Sequence, residues 1–381
     1  MPQFAAGAEN GYCMKSLRIL ADDLTGALDC AAAFGAGVRL HLGQPATQSQ
    51  GVIDIVATAT RDVPPTELAT LLEPSLSWLR DAGVAFKKID SLLRGNTFDE
   101  VDWLARQGGF NGVAVVPAFP AQHRITKQGQ QWWRKPDGSV DPVAESMSHS
   151  LQARGWRIET GHNALTLQST ATAWIPDVLT DQDLDTVADF ALQNTSWLWC
   201  GSAGLAHALA RRLPARPPAA ISTPETGQIV FISASHHTVT REQWRVLRSS
   251  TFPATYLSGE ELHAFESIST NSPLLIDLSS ATPLSAAQAT SLLHAQSKVI
   301  AQHAQRPRAL VVVGGDTLLA LCRALGANSL VSETALARTG WGCARLSGGA
   351  WDGVLCHTRS GAFGNENDLF EVMKLLEQNV G

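Results

Sequence analysis

Short hydrophobic runs alternate with helix-favouring segments along the first part of the chain. Apolar runs at 17–20, 54–60, 84–90 and 112–119 are short enough to be buried strands, and helical patterns follow the first three of them. Strands that alternate with helices usually form a parallel sheet. This part of the sequence therefore predicts a mostly parallel sheet flanked by helices.

The alternation is interrupted twice. From 122 to 148 the periodicity gives way to a polar stretch with two adjacent tryptophans, which predicts a loop or hairpin near a cleft. At 213–227 the segment LPARPPAAISTPETG is rich in Pro, Ala, Ser and Thr, a composition typical of an interdomain linker. Beyond it the alternation restarts with QIVFISAS, PLLIDLSS and RALVVVGGDT.

We therefore predict an α/β protein of two doubly wound domains. The N-terminal domain spans 14–212 and the C-terminal domain spans 228–381, with the linker at 213–227 between them. A chain of 381 residues is longer than one hydrophobic core usually organises, which favours the same division. Ligands of such folds bind beyond the carboxyl ends of the strands, so we expect the active site in the interdomain cleft.

Composition and charge narrow the class of protein. Hydrophobic residues make up 44% and charged residues 17%, which is typical of a globular enzyme and excludes a disordered chain. The net charge of -6, with Lys and Arg scattered along the chain, argues against a nucleic-acid-binding surface. No apolar run is long enough to span a membrane, and the N-terminus lacks the features of a signal peptide. We predict a cytoplasmic protein without a membrane partner.

The six cysteines contain no C-x-x-C pair and no metal-ligand spacing with histidine. Buried thiols in a reducing compartment fit this pattern. His236 and His237 are neighbours in sequence and lack a third ligand nearby, so we predict no protein-held metal. A homodimer is a further expectation.

Acidic and basic residues concentrate at two predicted strand-to-helix junctions. ADDLTGALD places Asp22 and Asp23 at the end of a strand, where capping of the following helix is the alternative role. KKIDSLLRGN contains Lys88, Asp90 and Arg94, and the first two share one face of their strand. A guanidinium can bind a carboxylate through two hydrogen bonds. The two junctions predict a site for a small acidic, hydroxylated ligand, with surface ion pairs as the alternative.

Three turns rich in glycine or hydroxyl residues follow predicted strands of the second half. They are ISASHHTVT, VVVGGDT and RSGAFGNENDL. Glycine lets backbone N–H groups approach a phosphate at a helix N-terminus, although a tight turn with a helix cap uses the same residues. Three such turns in one domain indicate one nucleotide site.

Several common catalytic signatures are missing. The chain contains no G-x-x-x-x-G-K-[ST], no G-x-G-x-x-G after a strand, no G-x-S-x-G and no H-E-x-x-H. P-loop kinases, Rossmann dehydrogenases, serine hydrolases and zincins therefore lose support.

Taken in order, seven segments resemble the motifs of the four-carbon acid sugar kinase family. They are ADDLTGALD, KKIDSLLRGN, PAFPAQHRITKQG, GSAGLAHALA, ISASHHTVT, GGDT and RSGAFGNENDLF, and they extend from Leu17 to Phe370. The resemblance implies a kinase that transfers phosphate from ATP to a hydroxyl of threonate, erythronate or 3-oxo-tetronate. It also implies that the N-terminal domain binds this small-molecule substrate, whereas the C-terminal domain binds ATP with Mg²⁺.

The resemblance implies roles for individual residues as well. The catalytic residues would be Asp22, Asp90, Lys88 and Arg94. Since phosphoryl transfer needs a carboxylate that orients the attacking hydroxyl, Asp22 or Asp90 is the candidate base, with Lys88 or Arg94 as its electrostatic partner. The substrate would be bound by Asp23, Arg61, Ser91, Asn96 and Arg124. The nucleotide would be bound by Ser233, Ser235, His237, Gly314, Gly315, Asp316, Thr317, Arg359, Gly361 and Gly364.

The chain departs from the family pattern at a few positions. The family usually has S-G-S-x-S where this chain has Ala234 and His237, and K-S-G where it has Arg359. These departures support one alternative, a sensor that binds a sugar acid and a nucleotide without turnover. A second alternative, an NAD-dependent sugar-acid dehydrogenase, lacks its glycine fingerprint.

Overall fold

The computed structural model describes residues 16–45, 51–161, 171–213, 227–267, 272–333 and 340–378. Within these residues, fifteen strands form one mixed sheet with helices on both faces, which confirms the predicted α/β class. Three further strands form a small antiparallel sheet. Most of the predicted linker, at 214–226, lies outside the described residues.

The elements are numbered in chain order. The strands are β1 (Leu17–Ala21), β2 (Arg39–Leu42), β3 (Ile53–Ala57), β4 (Val84–Lys88), β5 (Gly112–Val116), β6 (Arg124–Lys127), β7 (Gln130–Arg134), β8 (Val140–Pro142), β9 (Arg157–Thr160), β10 (Thr172–Ile175), β11 (Trp197–Gly201), β12 (Ile229–Ser233), β13 (Thr255–Ser258), β14 (Leu274–Asp277), β15 (Ala309–Val313), β16 (Ser329–Ser332), β17 (Gly342–Ser347) and β18 (Leu355–Arg359). The helices are α1 (Leu24–Ala33), α2 (Leu68–Arg80), α3 (Thr97–Gly108), α4 (Met147–Gln152), α5 (Asp181–Gln193), α6 (Ala203–Ala210), α7 (Thr238–Ser249), α8 (Ala286–His303), α9 (Gly315–Leu325) and α10 (Asp368–Gln378).

The strand order divides the large sheet into two parallel halves. One half has the order β2-β3-β1-β4-β11-β5-β10-β9, and the other has the order β13-β14-β12-β15-β18. Between them, β17 and β16 are antiparallel to their neighbours, and β16 pairs with β2. The two halves therefore share one continuous sheet, which the sequence patterns did not predict.

Three antiparallel pairings in a row make the parallel strands of the two halves run in opposite directions. In a flat sheet their carboxyl ends would lie at opposite edges. Five steps separate β1 from β18, and a twist of about 20–25° per step rotates one half by roughly 100° relative to the other. The carboxyl ends of the two halves can thus face each other.

On one face of the sheet the hydrophobic core is divided between the two halves, and on the other face it is shared by them. Buried residues of α2, α3 and α4 cover one face of the N-terminal half, and those of α7 and α10 cover one face of the C-terminal half. On the opposite face, buried residues of α1, α5, α6, α8 and α9 belong to a single cluster. The core is therefore continuous between the halves.

The region predicted as a loop or hairpin forms the small sheet. Its strands have the order β6-β7-β8 and are antiparallel, and β6 begins at Arg124. Elsewhere, Cys30, Cys200, Cys322 and Cys356 are buried free thiols, as the pattern indicated, and Cys343 is buried as well. In the described part of the chain, each helix is too short or too polar to cross a membrane.

Ser332 connects the two halves at the β2–β16 pairing. Its buried hydroxyl donates to the Gly35 carbonyl at 2.6 Å and accepts from the Val38 N–H at 2.9 Å. Two backbone hydrogen bonds join the same segments. The Ser332 N–H donates to the Val38 carbonyl, and the Gly37 N–H donates to the Ser332 carbonyl. The hydroxyl therefore satisfies a backbone donor that has lost contact with water.

We expect Ser332→Ala to lower the free energy of unfolding by about 1–3 kcal/mol, because it leaves the buried Val38 N–H without a partner. Urea denaturation would measure the change. Ser249→Ala is the control, since that hydroxyl is exposed and bonds only within its own helix, and it should change stability by less than about 0.5 kcal/mol. Equal losses for the two variants would contradict the assignment.

Candidate functional site

The loops after five adjacent strands of the N-terminal half meet at one edge of the sheet. These strands are β3, β1, β4, β11 and β5. The loops carry most of the residues that the sequence nominated on the sugar-acid side. They surround a cavity of about 280 Å³ that Ser360, Ala362 and Phe363 of the C-terminal half also line. The predicted cleft between the halves is therefore present.

Arg61 lies at the centre of this edge and joins three strand ends. Its guanidinium donates to both carboxylate oxygens of Asp22, at 2.8 and 3.0 Å, and to both oxygens of Asp23, at 2.8 and 2.7 Å. The Asp90 carboxylate lies 3.7 Å away on its other side. Arg61 is only 15% exposed, so these ion pairs are shielded from water.

The two aspartates at the end of β1 differ in their environment. Burial raises the pKa of Asp22, but the cations Lys87, Arg61 and Lys88 outweigh burial, and the pKa falls below its usual value. Burial raises the pKa of Asp23 despite Arg61. The Asp23 carboxylate also accepts from the Gly26 N–H at 3.0 Å and caps α1, as the alternative reading of the sequence held.

Asp90 is held by its own loop. Arg94 donates to one of its oxygens at 2.9 and 2.5 Å, and the Leu92 N–H donates to the other at 2.6 Å. Burial raises the pKa of Asp90, but the Arg94 hydrogen bonds and the charge of Arg61 lower it below its usual value. Arg94 itself is 60% exposed and lines the cavity.

Arg124 reaches the same cavity from β6. One of its terminal nitrogens donates to the Ser91 hydroxyl at 2.7 Å and to the Gln122 side chain at 2.6 Å. Its Nε is buried and lacks a hydrogen-bond partner among the described residues. Arg124 lines the cavity, so its guanidinium can reach a ligand bound there.

Lys87 and Lys88 point to opposite faces of β4. Lys88 lines the cavity, and its ammonium donates to the Ile89 carbonyl at 2.9 Å. Burial lowers the pKa of Lys88, but Cys30 and the aspartates Asp22 and Asp23 outweigh it and raise the pKa. The Lys87 ammonium lies on the other face, 2.5 Å from the buried Glu100 carboxylate. The cavity is therefore lined by a lysine whose charged form is favoured.

Asn96 lies outside the cavity, and its side chain makes hydrogen bonds to the neighbouring loop. Its amide donates to the carbonyls of Thr60 and Val63 at 3.0 and 2.8 Å, which fixes the loop that carries Arg61. Gly95 lies against the same loop: its φ is +74°, and a Cβ there would lie 2.5 Å from the Arg61 carbonyl oxygen. These contacts explain the R-G-N triplet of the motif.

Three loops of the cavity contain a residue in the left-handed region. Ala59, Leu93 and His123 have φ values of 58°, 58° and 61°. They stand beside or near Arg61, Arg94 and Arg124, and this conformation costs a residue with a side chain roughly 1–2 kcal/mol. Such strain is concentrated at functional sites, where it fixes the direction of a neighbouring side chain.

The sequence reasoning missed Asp29, which lines the cavity from α1. It stands four residues after Thr25, another cavity-lining residue, so the two lie on one face of the helix. The helical spacing within ADDLTGALD was the available signal. Burial raises the pKa of Asp29 to about 6, with the charge of Lys88 lowering it and that of Asp23 raising it.

The nucleotide-side motifs end three adjacent strands, β12, β15 and β18. The helices after β12 and β18 pack on one face of the sheet, and the helix after β15 packs on the other. In doubly wound sheets, a crevice opens where neighbouring strands lead to helices on opposite faces. The structure therefore brings the three turns together at such a crevice.

The turns also contact each other directly. The Thr240 hydroxyl donates to the Gly361 carbonyl at 2.7 Å, and a Cβ at Gly361 would lie 2.3 Å from the Ser235 hydroxyl. Ser233 is buried and accepts from the Ser235 N–H at 3.1 Å. His237 caps α7 and is exposed.

The GGDT turn approaches the N-terminal half. Gly314 has a φ of +109° and caps α9, and a Cβ at Gly315 would lie 2.5 Å from the Thr25 hydroxyl. Loss of solvent, together with the charges of Asp62 and Asp23, raises the pKa of Asp316. Thr317 is buried next to Gly314. The α9 N-terminus therefore lies beside the α1 N-terminus.

Arg359 is directed into the protein. Its side chain is 1% exposed, pairs with Asp368 at 2.5 Å, donates to the Phe363 carbonyl and lies over the Trp341 ring. Gly364 has a φ of +91° and leaves room for this pair, since a Cβ there would collide with both side chains. The structure places Arg359 as a brace of the loop at 360–364.

Comparisons with known proteins are consistent with this arrangement. Residues 17–157 match the model of the sugar-binding N-terminal domain family. The chain is 28% identical to a D-threonate kinase of Cupriavidus necator, over 95% of this chain and 98% of that protein. It is 34% identical to a D-erythronate kinase of Heliobacterium modesticaldum, over 30% of this chain and 29% of that protein. These matches confirm the resemblance to the four-carbon acid sugar kinases.

A solved structure from Salmonella typhimurium LT2 has the same fold. Its TM-score is 0.74 at 20% sequence identity, over 94% of this chain and 98% of that one. The likeness covers both halves of the sheet, so the arrangement of the halves recurs in that protein.

We expect Arg61→Ala to lower the free energy of unfolding by about 3–5 kcal/mol at pH 7, because it leaves buried carboxylates unpaired. The folded-state pKa values of Asp22 and Asp90 are lowered, so in the wild type their ionised forms add stability above their ordinary pKa near 4. That contribution is lost as the pH falls through the folded-state values. Between pH 7 and pH 4.5 the wild type keeps this contribution. In the variant, burial without Arg61 raises the pKa of the carboxylates, so they take up protons over this range and their penalty falls. The difference between variant and wild type should therefore shrink between pH 7 and pH 4.5.

Urea denaturation at the two pH values would measure this. Arg245→Ala is the control, since that arginine is 64% exposed and pairs only with Glu242, and it should cost less than about 1 kcal/mol at either pH. A loss for Arg61→Ala that does not depend on pH would contradict the role of the carboxylates.

Proposed function

We propose that this chain is an ATP-dependent kinase that phosphorylates a hydroxyl group of a four-carbon sugar acid such as threonate or erythronate. The observation that carries the proposal is the meeting of two kinds of loop in one cleft. Cationic side chains on the N-terminal half face glycine- and hydroxyl-rich turns on the C-terminal half. A kinase needs a polar acceptor site next to a phosphate-binding site.

The cationic side of the cavity suits a small carboxylate. Arg94 is largely exposed, and both Arg94 and Arg124 line the cavity. Either guanidinium can bind a carboxylate in a bidentate manner, which fixes the orientation of a flexible ligand. Ser91 and Gln122 supply hydrogen bonds for hydroxyl groups. The names of the kinase relatives support this class of substrate.

The opposite side of the cavity suits phosphate. Backbone N–H groups at the start of α9 are unpaired within the helix and carry its partial positive charge. Gly314 and Gly315 allow a phosphate to approach these groups without steric hindrance from a side chain. Since Gly315 packs on Thr25, a terminal phosphate bound there would lie at the mouth of the sugar-acid cavity.

Mg²⁺ would accompany the nucleotide. The described residues contain no group of three or more His, Cys, Asp or Glu side chains that could hold a metal ion. Magnesium in kinases is usually bound by phosphates and water with one or two carboxylates, so this donor set fits. Asp62 and Asp316, one from each half, would hold it, and Asp62 lies close enough for its charge to raise the pKa of Asp316. When bound, the ion would neutralise the phosphate charge during transfer.

The proposal predicts ADP formation from ATP that depends on both Mg²⁺ and a four-carbon sugar acid. A coupled assay over D- and L-threonate, D- and L-erythronate and their 3-oxo derivatives would test it, with six-carbon sugar acids as the control panel. A sensor without turnover would bind nucleotide and acid in calorimetry but release no ADP. The cytoplasmic location and the homodimer remain predictions from the sequence.

A second experiment tests the division of labour between the halves. Gly315→Val should weaken ATP binding by about 1–3 kcal/mol, since the side chain would displace the turn and leave a donor unpaired. Binding of the sugar acid should persist in this variant. Arg94→Ala should show the reverse, with weaker sugar-acid binding and unchanged ATP binding. Titration calorimetry with each ligand decides, and the opposite pattern would contradict the assignment of ligands to halves.

A further inference from the structure

Three carboxylates line the cavity, and they differ in their partners. Asp23 accepts two hydrogen bonds from Arg61 and one from the Gly26 N–H. Asp90 accepts two from Arg94 and one from the Leu92 N–H. Asp29 lines the same cavity, yet no hydrogen bond or ion pair joins it to any described residue. Its oxygens are therefore available to a ligand.

The position of Asp29 relates it to the phosphate side of the cleft. It lies one helical turn beyond Thr25, about 6 Å along the axis of α1, and on the same helix face. Thr25 is the residue on which Gly315 of the phosphate-binding turn packs. Asp29 is thus a carboxylate without a hydrogen-bond partner among the described residues. It lies on the face of α1 that connects the GGDT turn with the sugar-acid cavity.

We propose that Asp29 is the general base, accepting the proton of the substrate hydroxyl that receives the phosphoryl group. This inference rests on the proposed kinase function. In the step, the substrate oxygen forms a bond to the γ-phosphorus of ATP while its proton passes to an Asp29 oxygen. The bond from the γ-phosphorus to the bridging oxygen breaks, and ADP leaves with that electron pair. The proton then passes from Asp29 to solvent.

This assignment differs from the choice of Asp22 or Asp90 that the sequence resemblance favoured. The oxygens of both residues are occupied by guanidinium groups, and the pKa of each is below its usual value. A carboxylate that is bound to arginine and is weakly basic is a poor proton acceptor. Those two residues are better suited to holding Arg61 and Arg94 in place.

The charged groups that face Asp29 support the role. Lys88 faces it from β4, Arg61 from the loop after β3 and Asp23 from the start of its own helix. Asp90, Arg94 and Arg124 line the rest of the cavity. Burial dominates and raises the pKa of Asp29 to about 6, so the group is ionised at pH 7 yet more basic than an ordinary carboxylate.

The test compares wild type, Asp29→Asn and Asp29→Glu in the coupled assay and in calorimetry. We expect Asp29→Asn to lower kcat by about 100-fold or more, while the KM of the sugar acid and the Kd of ATP change less than about threefold. The wild-type kcat/KM should rise through a limb near pH 6, and this limb should be absent in Asp29→Asn. Asp29→Glu should recover part of the rate. Asp99→Asn is the matched control, because Asp99 lies on α3 away from the cavity and pairs with Arg154. This variant should leave kcat unchanged.

The outcomes separate this inference from the proposed function. If the wild type releases no ADP with any four-carbon acid, the proposed function fails. If the wild type turns over but Asp29→Asn keeps kcat within about fivefold, the assignment of the base is wrong. If Asp29→Asn does not fold, the wild-type and Asp29→Glu pH profiles decide, and the absence of a limb between pH 5 and 7 in both would overturn the assignment.

Discussion

Arg61 holds the ends of three strands together, and the geometry of the cavity depends on it. Its guanidinium binds Asp22 and Asp23 after β1 and lies near Asp90 after β4, while Arg61 itself follows β3. Removing these charges from water costs free energy that offsets their attraction, so the cluster adds little net stability to the folded protein. Its value lies in geometry, because each carboxylate is fixed in direction by a planar, bidentate partner. Asn96 and Gly95 then fix the loop that carries Arg61.

The occupied carboxylates determine which groups remain available for chemistry. Arg61 and Arg94 bind the aspartates at the strand ends, and the Lys88 ammonium donates to the Ile89 carbonyl. Asp29, part of Arg124 and the outer part of Arg94 are left facing the cavity. A site that combines a rigid inner layer of ion pairs with a few free polar groups is preorganised for a ligand, since little reorganisation accompanies binding.

Local signals predicted much of this arrangement, and long-range pairing explains what they missed. The strand-to-helix junctions were visible in the sequence because apolar runs end at acidic, basic or glycine-rich segments, and these junctions do meet in the cleft. The β2–β16 pairing joins residues almost 300 positions apart, and both strands are short, so no local pattern indicates it. Asn96 and Arg359 matched ligand positions by sequence, but their side chains turn to carbonyls and to Asp368. Asp29 was missed because Lys88 and Arg61, whose charges face it in the cavity, are distant from it in sequence.

The shared sheet has a consequence for how the two halves exist as polypeptides. If the chain were divided at the segment between α6 and β12, the N-terminal fragment would present β2 as an open edge, together with the apolar residues of α1 that pack on α9 and β17. Exposed strand edges beside apolar surface promote association between chains. Independent production of either half would therefore favour aggregation. Joining one half to the corresponding half of another protein would require strands that still pair as β2 and β16 do. The continuous sheet thus restricts the exchange of one half for another.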